Sequence, residues 1–286
     1  MRLTLAALAL LAGCGARTEP ADLGGSPIAP ADGGVTDAGI PGVDAPFDAA
    51  PACEAGTIEV AYVLDGEENL YRYDPQTGQA ILLGPLSCGD GNVAWTMTAT
   101  RDHAYVVYTD WTIYVVDLAT LVCTPTAFQA GQLGLEDEFG VAAVPGPSGD
   151  RIFYYGTPSD VGAPILAVSD TQSFELTEVG SIQPPPPAQG GFPVNLTSDG
   201  NGHLYAYSPL GLVQEIDEGT GNVLQSVDTR VTSTATWATI AYGSTLYLWA
   251  DTEVFGYDLG SRRRTSDFEV GIDAIGASAV TVCAGP

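Results

Sequence analysis

The sequence predicts an all-β fold, a β-propeller of five blades, from three observations. Residues 53–286 contain short runs of Tyr, Val, Ile, Leu and Thr that alternate with turns of Gly, Asp, Pro and Ser, a pattern typical of strands and turns. No stretch of this segment keeps a helical period. A short strand that ends in Asp and leads into a turn, clearest as Leu-Tyr-Arg-Tyr-Asp-Pro-Gln-Thr-Gly at 70–78, recurs down the chain.

The recurring Asp indicates the length of one blade. It stands at five positions, separated by 41–53 residues: Asp74, Asp117, Asp170, Asp217 and Asp258. This spacing is typical of propeller blades. We interpret each Asp as a cap on the turn that follows, because an Asp side chain accepts hydrogen bonds from the backbone two residues on. The alternative is a metal-binding loop.

Each blade should have four strands, named A to D from the channel outward. The B and C strands are predicted as pairs at 58–64 with 69–74, 104–108 with 112–117, 152–155 with 165–170, 204–207 with 212–217, and 246–249 with 253–258. The D strands are predicted at 80–83, 124–128, 174–177, 223–226 and 265–268. The A strands, which are rich in small residues, are predicted at 94–99, 141–144, 194–197, 237–241 and 276–282.

The order of these strands also predicts how the ring closes. The first B–C pair has no A strand before it, whereas 276–282 is an A strand with no partner after it. We therefore expect the C-terminal strand to complete the N-terminal blade, which removes open sheet edges. A six-bladed ring is the alternative, but it requires a further strand pair that the sequence does not show.

Cysteine usage indicates an exported protein with disulfides. Cys53, Cys88, Cys123 and Cys283 lie in the predicted propeller and allow three pairings. Ring closure would bring Cys53 and Cys283 together, and a bond between Cys88 and Cys123 would then join adjacent blades. A zinc site is the alternative, but the chain has no Cys-x-x-Cys and both His residues lie elsewhere.

The N-terminus has the features of a lipoprotein signal peptide. Residues 1–13 combine a positively charged start with an apolar run over 3–11. The sequence Leu-Ala-Gly-Cys at 11–14 resembles a bacterial lipobox, which implies that Cys14 carries the lipid. Gly15 follows rather than Asp, which favours the outer membrane of a Gram-negative cell. The alternative is an ordinary secretory signal with a chance cysteine.

Residues 14–52 are predicted to form the lipidated cysteine and a disordered tether, because Ala, Pro, Asp and Gly dominate and large apolar residues are few. The predicted divisions are therefore a signal peptide at 1–13, the tether at 14–52 and the propeller at 53–286. The mature protein would be a monomer anchored to the membrane by its N-terminal lipid, without spanning it.

The charge balance limits the partners. The formal net charge is −26, with 35 acidic residues against nine basic residues, all of them Arg. Nucleic acid is not expected as a partner, because binding it requires clustered positive charge. A cation, a basic protein or a neutral glycan fits this composition. The alternative is that the acidity serves solubility alone.

The B–C and D–A loops of a propeller converge at one channel mouth, and in this chain they are acidic. We predict a ligand-binding face there, with Trp111 exposed near the mouth, formed by Glu68, Asp110, Trp111, Asp137 and Asp251. Its ligand would be a cation such as Ca²⁺, a basic peptide, or a sugar stacked on the tryptophan. No other cofactor is expected. The alternative is plain acidic loops on an acidic protein.

The residue pattern does not favour an enzyme. Some five-bladed glycoside hydrolases resemble this architecture, and glycosidase chemistry requires two carboxylates at a defined separation. The predicted A strands contain no Asp or Glu. His103 and His203 lie at equivalent positions of two repeats, away from any Ser–Asp arrangement, so we interpret them as structural. An enzyme acting on extracellular carbohydrate is the alternative function.

The tether, the Tyr-x-Tyr-Asp-Pro-x-Thr-Gly-like repeat and the paired cysteines together resemble uncharacterised lipoproteins of myxobacteria with a β-propeller of YVTN/PQQ-like repeats. The resemblance covers essentially the full chain. That family has no assigned activity, and fold alone implies none. The sequence therefore predicts a lipid-anchored binding or interaction module, at the outer surface or in the periplasm, whose partner is an unknown protein or glycan.

Overall fold

The computed structural model describes residues 57–89, 91–145, 149–159, 163–182 and 194–283, with the backbone alone at 57–59 and 281–283. Twenty strands in these ranges form five separate four-stranded sheets. Every pairing within the sheets is antiparallel. The predicted five-bladed, all-β propeller is therefore confirmed.

The blades follow one another along the chain. Blade 1 contains β1 (Thr57–Asp65), β2 (Asn69–Asp74) and β3 (Gln79–Pro85). Blade 2 contains β4 (Ala94–Ala99), β5 (His103–Tyr108), β6 (Ile113–Asp117) and β7 (Cys123–Pro125). Blade 3 contains β8 (Gly140–Val144), β9 (Arg151–Gly156), β10 (Ile165–Asp170) and β11 (Thr177–Ser181). Blade 4 contains β12 (Asn195–Ser198), β13 (His203–Tyr207), β14 (Leu212–Asp217) and β15 (Val223–Asp228). Blade 5 contains β16 (Trp237–Tyr242), β17 (Thr245–Ala250), β18 (Glu253–Asp258) and β19 (Arg263–Glu269).

The last strand, β20 (Ala274–Cys283), closes the ring. It lies in the sheet of blade 1, whose strand order is β20-β1-β2-β3. Its pairing with β1 runs from Thr57 opposite Cys283 to Asp65 opposite Ala274, so the two ends of the described chain are joined by a strand ladder. The predicted completion of the N-terminal blade by the C-terminal strand is confirmed.

The hydrophobic core is divided into five clusters, one between each pair of adjacent blades. The cluster between blades 5 and 1, for example, packs the fully buried Trp249 edge-on against Tyr73, with ring centroids 4.8 Å apart. Because each blade is flanked by two such clusters, both faces of its sheet are covered. This two-sided burial explains why strands such as β5 and β9 are apolar along nearly their whole length.

The A strands approach one another so closely that two positions require glycine. A Cβ atom on Gly140 would lie 2.4 Å from the carbonyl oxygen of Val194, and one on Gly276 would lie 2.3 Å from the amide nitrogen of Met97. Both obstacles are backbone atoms of a neighbouring blade, so a side chain could not be accommodated without moving a strand. The small residues predicted for the inner strands therefore allow these strands to pack closely around a narrow channel.

The turns between C and D strands confirm the predicted role of the recurring Asp. Asp117 accepts hydrogen bonds from the amide and hydroxyl of Thr120, both at 2.8 Å, and Asp170 accepts one from the amide of Ser173 at 2.6 Å. These bonds stabilise the ionised carboxylates and hold the pKa of both residues below the usual value. The recurring motif is a structural cap.

One predicted strand is displaced. The sequence places the D strand of blade 3 at 174–177, but β11 begins at Thr177. Phe174 has a positive φ of 55° and is buried, as is Leu176, in the cluster between blades 2 and 3. The side chain of Gln132 bonds the carbonyl of Phe174 at 3.0 Å and the amide of Leu176 at 2.9 Å. The Gln132 side chain therefore supplies the hydrogen bonds that a neighbouring strand would otherwise give to this segment.

The predicted disulfide between Cys88 and Cys123 is present, with the two Cα atoms 5.3 Å apart. Cys88 follows the D strand of blade 1 and Cys123 begins the D strand of blade 2, so the bond joins adjacent blades. Cys14, predicted to carry the lipid, and the predicted tether lie outside the described residues, as does Cys53. The bond predicted between Cys53 and Cys283 therefore stays a prediction.

Candidate ligand site at the channel mouth

The channel is lined by small polar side chains of the inner strands, all buried: Thr96, Thr98, Asn195, Thr197, Thr239 and Ser278. Several bond the backbone of the next blade. Thr98 accepts a hydrogen bond from the amide of Ala143 at 2.7 Å, and Thr197 accepts one from the amide of Ala241 at 3.3 Å. The interior of the ring is thus held by side chain–backbone bonds that join adjacent A strands.

Asn195 connects several blades at the centre of the ring. Its Nδ2 donates to the Thr96 hydroxyl of blade 2 at 3.0 Å and to the Ile275 carbonyl of blade 1 at 3.4 Å. Its Oδ1 accepts from the amide of Thr239 in blade 5 at 3.1 Å. One side chain of blade 4 therefore reaches three other blades, and it forms the floor of the space above it.

That space is a cavity of about 260 Å³ at the end of the ring where the A strands begin. We call it the mouth cavity. Its walls come from the first residues of four inner strands and from the D–A loops that precede them, with Thr109 from a B–C loop. The inner-strand residues that define it are Ala94, Trp95, Asn195, Trp237 and Ile275.

Three of the four tryptophans of the chain gather at this mouth. Trp95 and Trp237 both line the cavity, with ring centroids 6.1 Å apart and ring planes at 88°. Trp111 packs edge-on against Trp95 at 6.0 Å and also contacts the buried Phe139 at 5.6 Å. All three indoles are partly buried. The cavity therefore has two aromatic walls at a right angle, supported from behind by a third indole.

Carboxylates surround the cavity at close range. Glu68 accepts a hydrogen bond from the amide of Ala94, which lines the cavity, at 3.3 Å, and another from the hydroxyl of Tyr108 at 3.3 Å. Asp110 accepts bonds from Asn92 Nδ2 at 2.7 Å and from the Thr112 hydroxyl at 2.6 Å. These bonds occupy the carboxylate oxygens but leave the negative charge beside the mouth.

Asp251 organises the D–A loop on the opposite side of the cavity. It accepts hydrogen bonds from the Ser233 hydroxyl at 2.8 Å, the Thr234 hydroxyl at 3.0 Å and the Ala235 amide at 2.9 Å. Partial burial alone would raise the pKa of Asp251, but these bonds outweigh it and lower the pKa to about 2. The carboxylate therefore stays ionised at any physiological pH.

Three B–C turns at this mouth contain a residue with positive φ. Glu68, Trp111 and Gly211 occupy equivalent B–C turn positions, and each amide donates to the carbonyl three residues earlier. All three have positive φ, at 64°, 62° and 84°. This conformation is natural for glycine but uncommon for other residues. The C–D turns at the other end of the ring also contain non-glycine residues with positive φ: Leu121, Phe174 and Arg262.

None of the five residues predicted for the ligand face lines the mouth cavity itself. Glu68, Trp111 and Asp251 contact the lining residues Ala94, Trp95 and Ala235. Asp110 follows the lining residue Thr109 in the sequence. Asp137 lies exposed on the loop before β8 and is not part of the cavity wall. Trp111, predicted to be exposed, is instead partly buried, because Phe139 and Trp95 pack against its ring.

Sequence reasoning missed the two residues that form the aromatic walls. Trp95 and Trp237 were assigned to A strands but not to the ligand face. The available signal was their position, since each is a large residue at the start of an inner strand that is otherwise made of small ones. Strands of adjacent blades begin at the same end of the ring, so two such indoles must share one mouth.

The acidic and histidine side chains in the part of the chain that the structure describes lie apart from the channel interior. It contains no group of three or more His, Cys, Asp and Glu side chains placed to hold a metal ion. The inner strands β4, β8, β12, β16 and β20 present no Asp or Glu to the channel. His203 lies 3.4 Å from Asp199 and 3.6 Å from Glu215 at the opposite end of the ring.

Comparisons with known proteins identify no family for this chain. No protein-family model matches the sequence, and no curated protein matches it. Among solved structures, the chain is similar to apo AztD from Citrobacter koseri, with 11% identity over 79% of this chain and 99% of that chain and a TM-score of 0.44. A second structure of Citrobacter koseri AztD has 12% identity to this chain, covers 81% of this chain and 100% of its own, and gives a TM-score of 0.44. A chain of the mitotic checkpoint complex has 12% identity to this chain, with 80% of this chain and 74% of that chain covered and a TM-score of 0.41.

These similarities are too distant to carry a functional argument, so the class assignment rests on the strand topology. Five four-stranded sheets in a ring, with the last strand completing the first sheet, define the chain as a five-bladed β-propeller. Its candidate site is a tryptophan-walled cavity at one end of the channel.

Proposed function

We propose that this protein is an exported, lipid-anchored binding module that holds its ligand at the channel mouth. The observation that carries the proposal is the mouth cavity itself, where Trp95 and Trp237 form two walls at 88°. Concave, mostly apolar sites with a few placed polar groups are the usual form of ligand pockets. The loops of several blades converge there, so one ligand can contact distant parts of the chain at once.

The export and anchoring part of the proposal rests on residues 1–14. The charged start, the apolar run and the lipobox-like Leu-Ala-Gly-Cys predict cleavage before Cys14 and lipid on its sulfur. Among the described residues, no helix is long and apolar enough to cross a membrane. A tether of 14–52 would then present the propeller at a distance from the bilayer.

Fractionation tests this anchor. The wild type, produced in a Gram-negative cell, should fractionate with the outer membrane and have a lipid-modified N-terminal Cys14 by mass spectrometry. The Cys14→Ser variant should lack the lipid and keep its signal residues. This result would assign the added mass of the wild type to Cys14. A wild-type protein recovered as an unmodified soluble chain would contradict the anchor without affecting the binding site.

A ligand screen tests the binding site. The full chain, extracted in detergent, is screened by thermal shift and tryptophan fluorescence against glycans, basic peptides, divalent metals and small organic cations. We expect at least one class to raise the melting temperature of the wild type and to lose that effect in Trp237→Ala. A shift that persists unchanged in Trp237→Ala would place binding elsewhere, and no shift with any class would refute the proposal.

A further inference from the structure

We infer that the mouth cavity binds a small quaternary ammonium cation, of the size and chemistry of choline. This inference names the ligand class of the proposed site and rests on the proposed binding function. Two observations carry it: the aromatic walls and the charge around them.

The aromatic walls supply the attraction for a cation. The face of an indole carries negative charge density, and a cation within about 6 Å of the ring centroid is stabilised by it, with tryptophan the strongest of the aromatic residues. Trp95 and Trp237 stand perpendicular with centroids 6.1 Å apart. A compact cation in the angle between them would contact two rings simultaneously. The same arrangement recurs in aromatic sites for methylated ammonium groups.

The surrounding charge has the complementary sign. Glu68 bonds the backbone of Ala94, and Asp251 bonds the backbone of Ala235, so both carboxylates lie directly behind residues of the cavity wall. Asp110 follows the wall residue Thr109. None of the residues that line the cavity is basic. A cation entering this mouth would therefore move toward several fixed negative charges.

Most of the polar side chains of the cavity wall form hydrogen bonds within the protein. Asn195 uses both Nδ2 and Oδ1 within the protein, Thr96 accepts from Asn195, and Thr109 accepts from the amide of Val93. The buried Oγ1 of Thr236, which also lines the cavity, has no hydrogen-bond partner among the described residues. A quaternary ammonium group has no hydrogen to donate and requires only aromatic surface and negative potential.

The size of the cavity limits the ligand further. Pockets for drug-sized molecules typically measure about 300–1,000 Å³, whereas the mouth cavity measures about 260 Å³. A ligand of a few heavy atoms fits this volume. Free choline and the choline head of a phospholipid share the ammonium group, so soluble glycerophosphocholine serves as the probe for the second source.

The test compares charged and neutral ligands of one shape. Tryptophan fluorescence of the full chain in detergent is titrated with tetramethylammonium, choline, glycerophosphocholine and 3,3-dimethylbutan-1-ol, the uncharged isostere of choline. We expect choline to bind more tightly than its isostere by on the order of tenfold, the size of a partly desolvated cation–π contribution. If the isostere binds as tightly as choline, or if no ammonium compound binds, the inference is overturned.

Two variants separate the roles of the wall and the charge. Trp237→Phe keeps an aromatic wall of weaker quadrupole and should reduce choline affinity several-fold, and Trp237→Ala should abolish binding. Glu68→Gln keeps an acceptor for the Ala94 amide and should weaken choline but not the isostere. The matched control, Asp102→Asn, removes a charge from a side chain that is 76% exposed at the other end of the ring and should change neither.

The outcomes also separate this inference from the proposed function. Binding of a glycan or a basic peptide that is lost in Trp237→Ala, without any response to choline or tetramethylammonium, would overturn the ligand class and leave the binding module intact. Choline binding that is unchanged in Trp237→Ala would overturn both, because the ligand would then occupy another site.

Discussion

At the scale of single residues, the acidic side chains of this protein have different structural roles although they carry the same charge. Asp117 and Asp170 cap turns between C and D strands, whereas Asp251 accepts hydrogen bonds from several residues of one D–A loop. Glu68 connects a strained B–C turn to the first residue of β4. The carboxylates near the mouth are therefore positioned by local hydrogen bonds, and their charge is available to a ligand.

Asp251→Asn should destabilise the propeller by about 1–2 kcal/mol at neutral pH, because the amide offers weaker acceptors to Ser233, Thr234 and Ala235. The pKa of Asp251 in the folded chain is lowered to about 2, from an ordinary value of 3.8. The folded state thus binds fewer protons, and the contribution is present above about pH 4 and lost as the pH falls toward 2.

Urea unfolding of wild type and Asp251→Asn across this pH range measures the effect. The difference in the free energy of unfolding should be constant above about pH 4 and should shrink below it, since protonation of the wild type then resembles the substitution. Asp102→Asn provides the control and should show no such difference. A gap between wild type and Asp251→Asn that stays constant down to pH 2 would contradict this assignment.

Asn195 is the residue on which several blades converge, and Asn195→Ala should cost about 2–3 kcal/mol. The substitution removes the acceptor of the buried Thr239 amide and the donor to Thr96, and a buried group without a partner pays its full desolvation cost. Thermal and urea unfolding measure the loss. Asn201→Ala, at an exposed turn, should change stability by less than about 0.5 kcal/mol. Equal effects of the two substitutions would refute a special role for Asn195.

At the scale of elements, the four-stranded blade is regular in its inner strands and variable at its outer edge. The B and C strands agree closely with the prediction in every blade, because their apolar residues are buried against neighbouring blades. The D strands vary more. In blade 2 the strand is reduced to Cys123–Pro125, and in blade 3 it begins only after Leu176. Outer strands have one open edge, so local contacts such as those of Gln132 decide their extent.

The disulfide is the element-scale device that joins blades 1 and 2. The double variant Cys88→Ala with Cys123→Ala should lose about 3–4 kcal/mol, the loop-closure entropy expected for a sequence separation of 35 residues. Guanidinium unfolding of the wild type with and without reductant, beside the double variant, measures it. Reductant should have a large effect on the wild type and a smaller one on the variant. An unfolding midpoint shared by all three samples would contradict the stabilising role.

At the scale of the whole molecule, the ring depends on the pairing of its two ends. β20 gives blade 1 its inner strand and also contacts the inner strands of blades 2 and 5. Without it, β1 would expose an open sheet edge and the core beneath it. The five interblade clusters would then be interrupted on both sides of blade 1.

Deleting residues 274–286 should therefore abolish the single cooperative thermal transition of the propeller. The matched control is a permuted chain, in which β20 is moved to a position before β1 instead of being deleted. Because Cys283 lies opposite Thr57 in an antiparallel pair, a short turn can join the end of β20 to the start of β1. The permuted chain should melt cooperatively, near the wild-type temperature. A truncated chain that melts like the wild type would show that closure by β20 is dispensable.

The sequence by itself determined the repeat, the five blades, the closing strand, the capping Asp and the pairing of Cys88 with Cys123. Each of these follows from patterns local to one strand, one turn or one spacing. Loop position along the chain likewise assigned Glu68, Asp110, Trp111 and Asp251 to one end of the ring, and their role in binding stays a prediction.

Only the tertiary structure decided that Trp95 and Trp237, from blades 2 and 5, stand perpendicular across a small cavity whose floor is Asn195. Strand alternation tells which face a side chain takes, but not which residues of distant blades meet at the channel. That depends on the close approach of the inner strands, which backbone packing at positions such as Gly140 and Gly276 sets. The site is therefore a property of the closed ring and not of any one repeat.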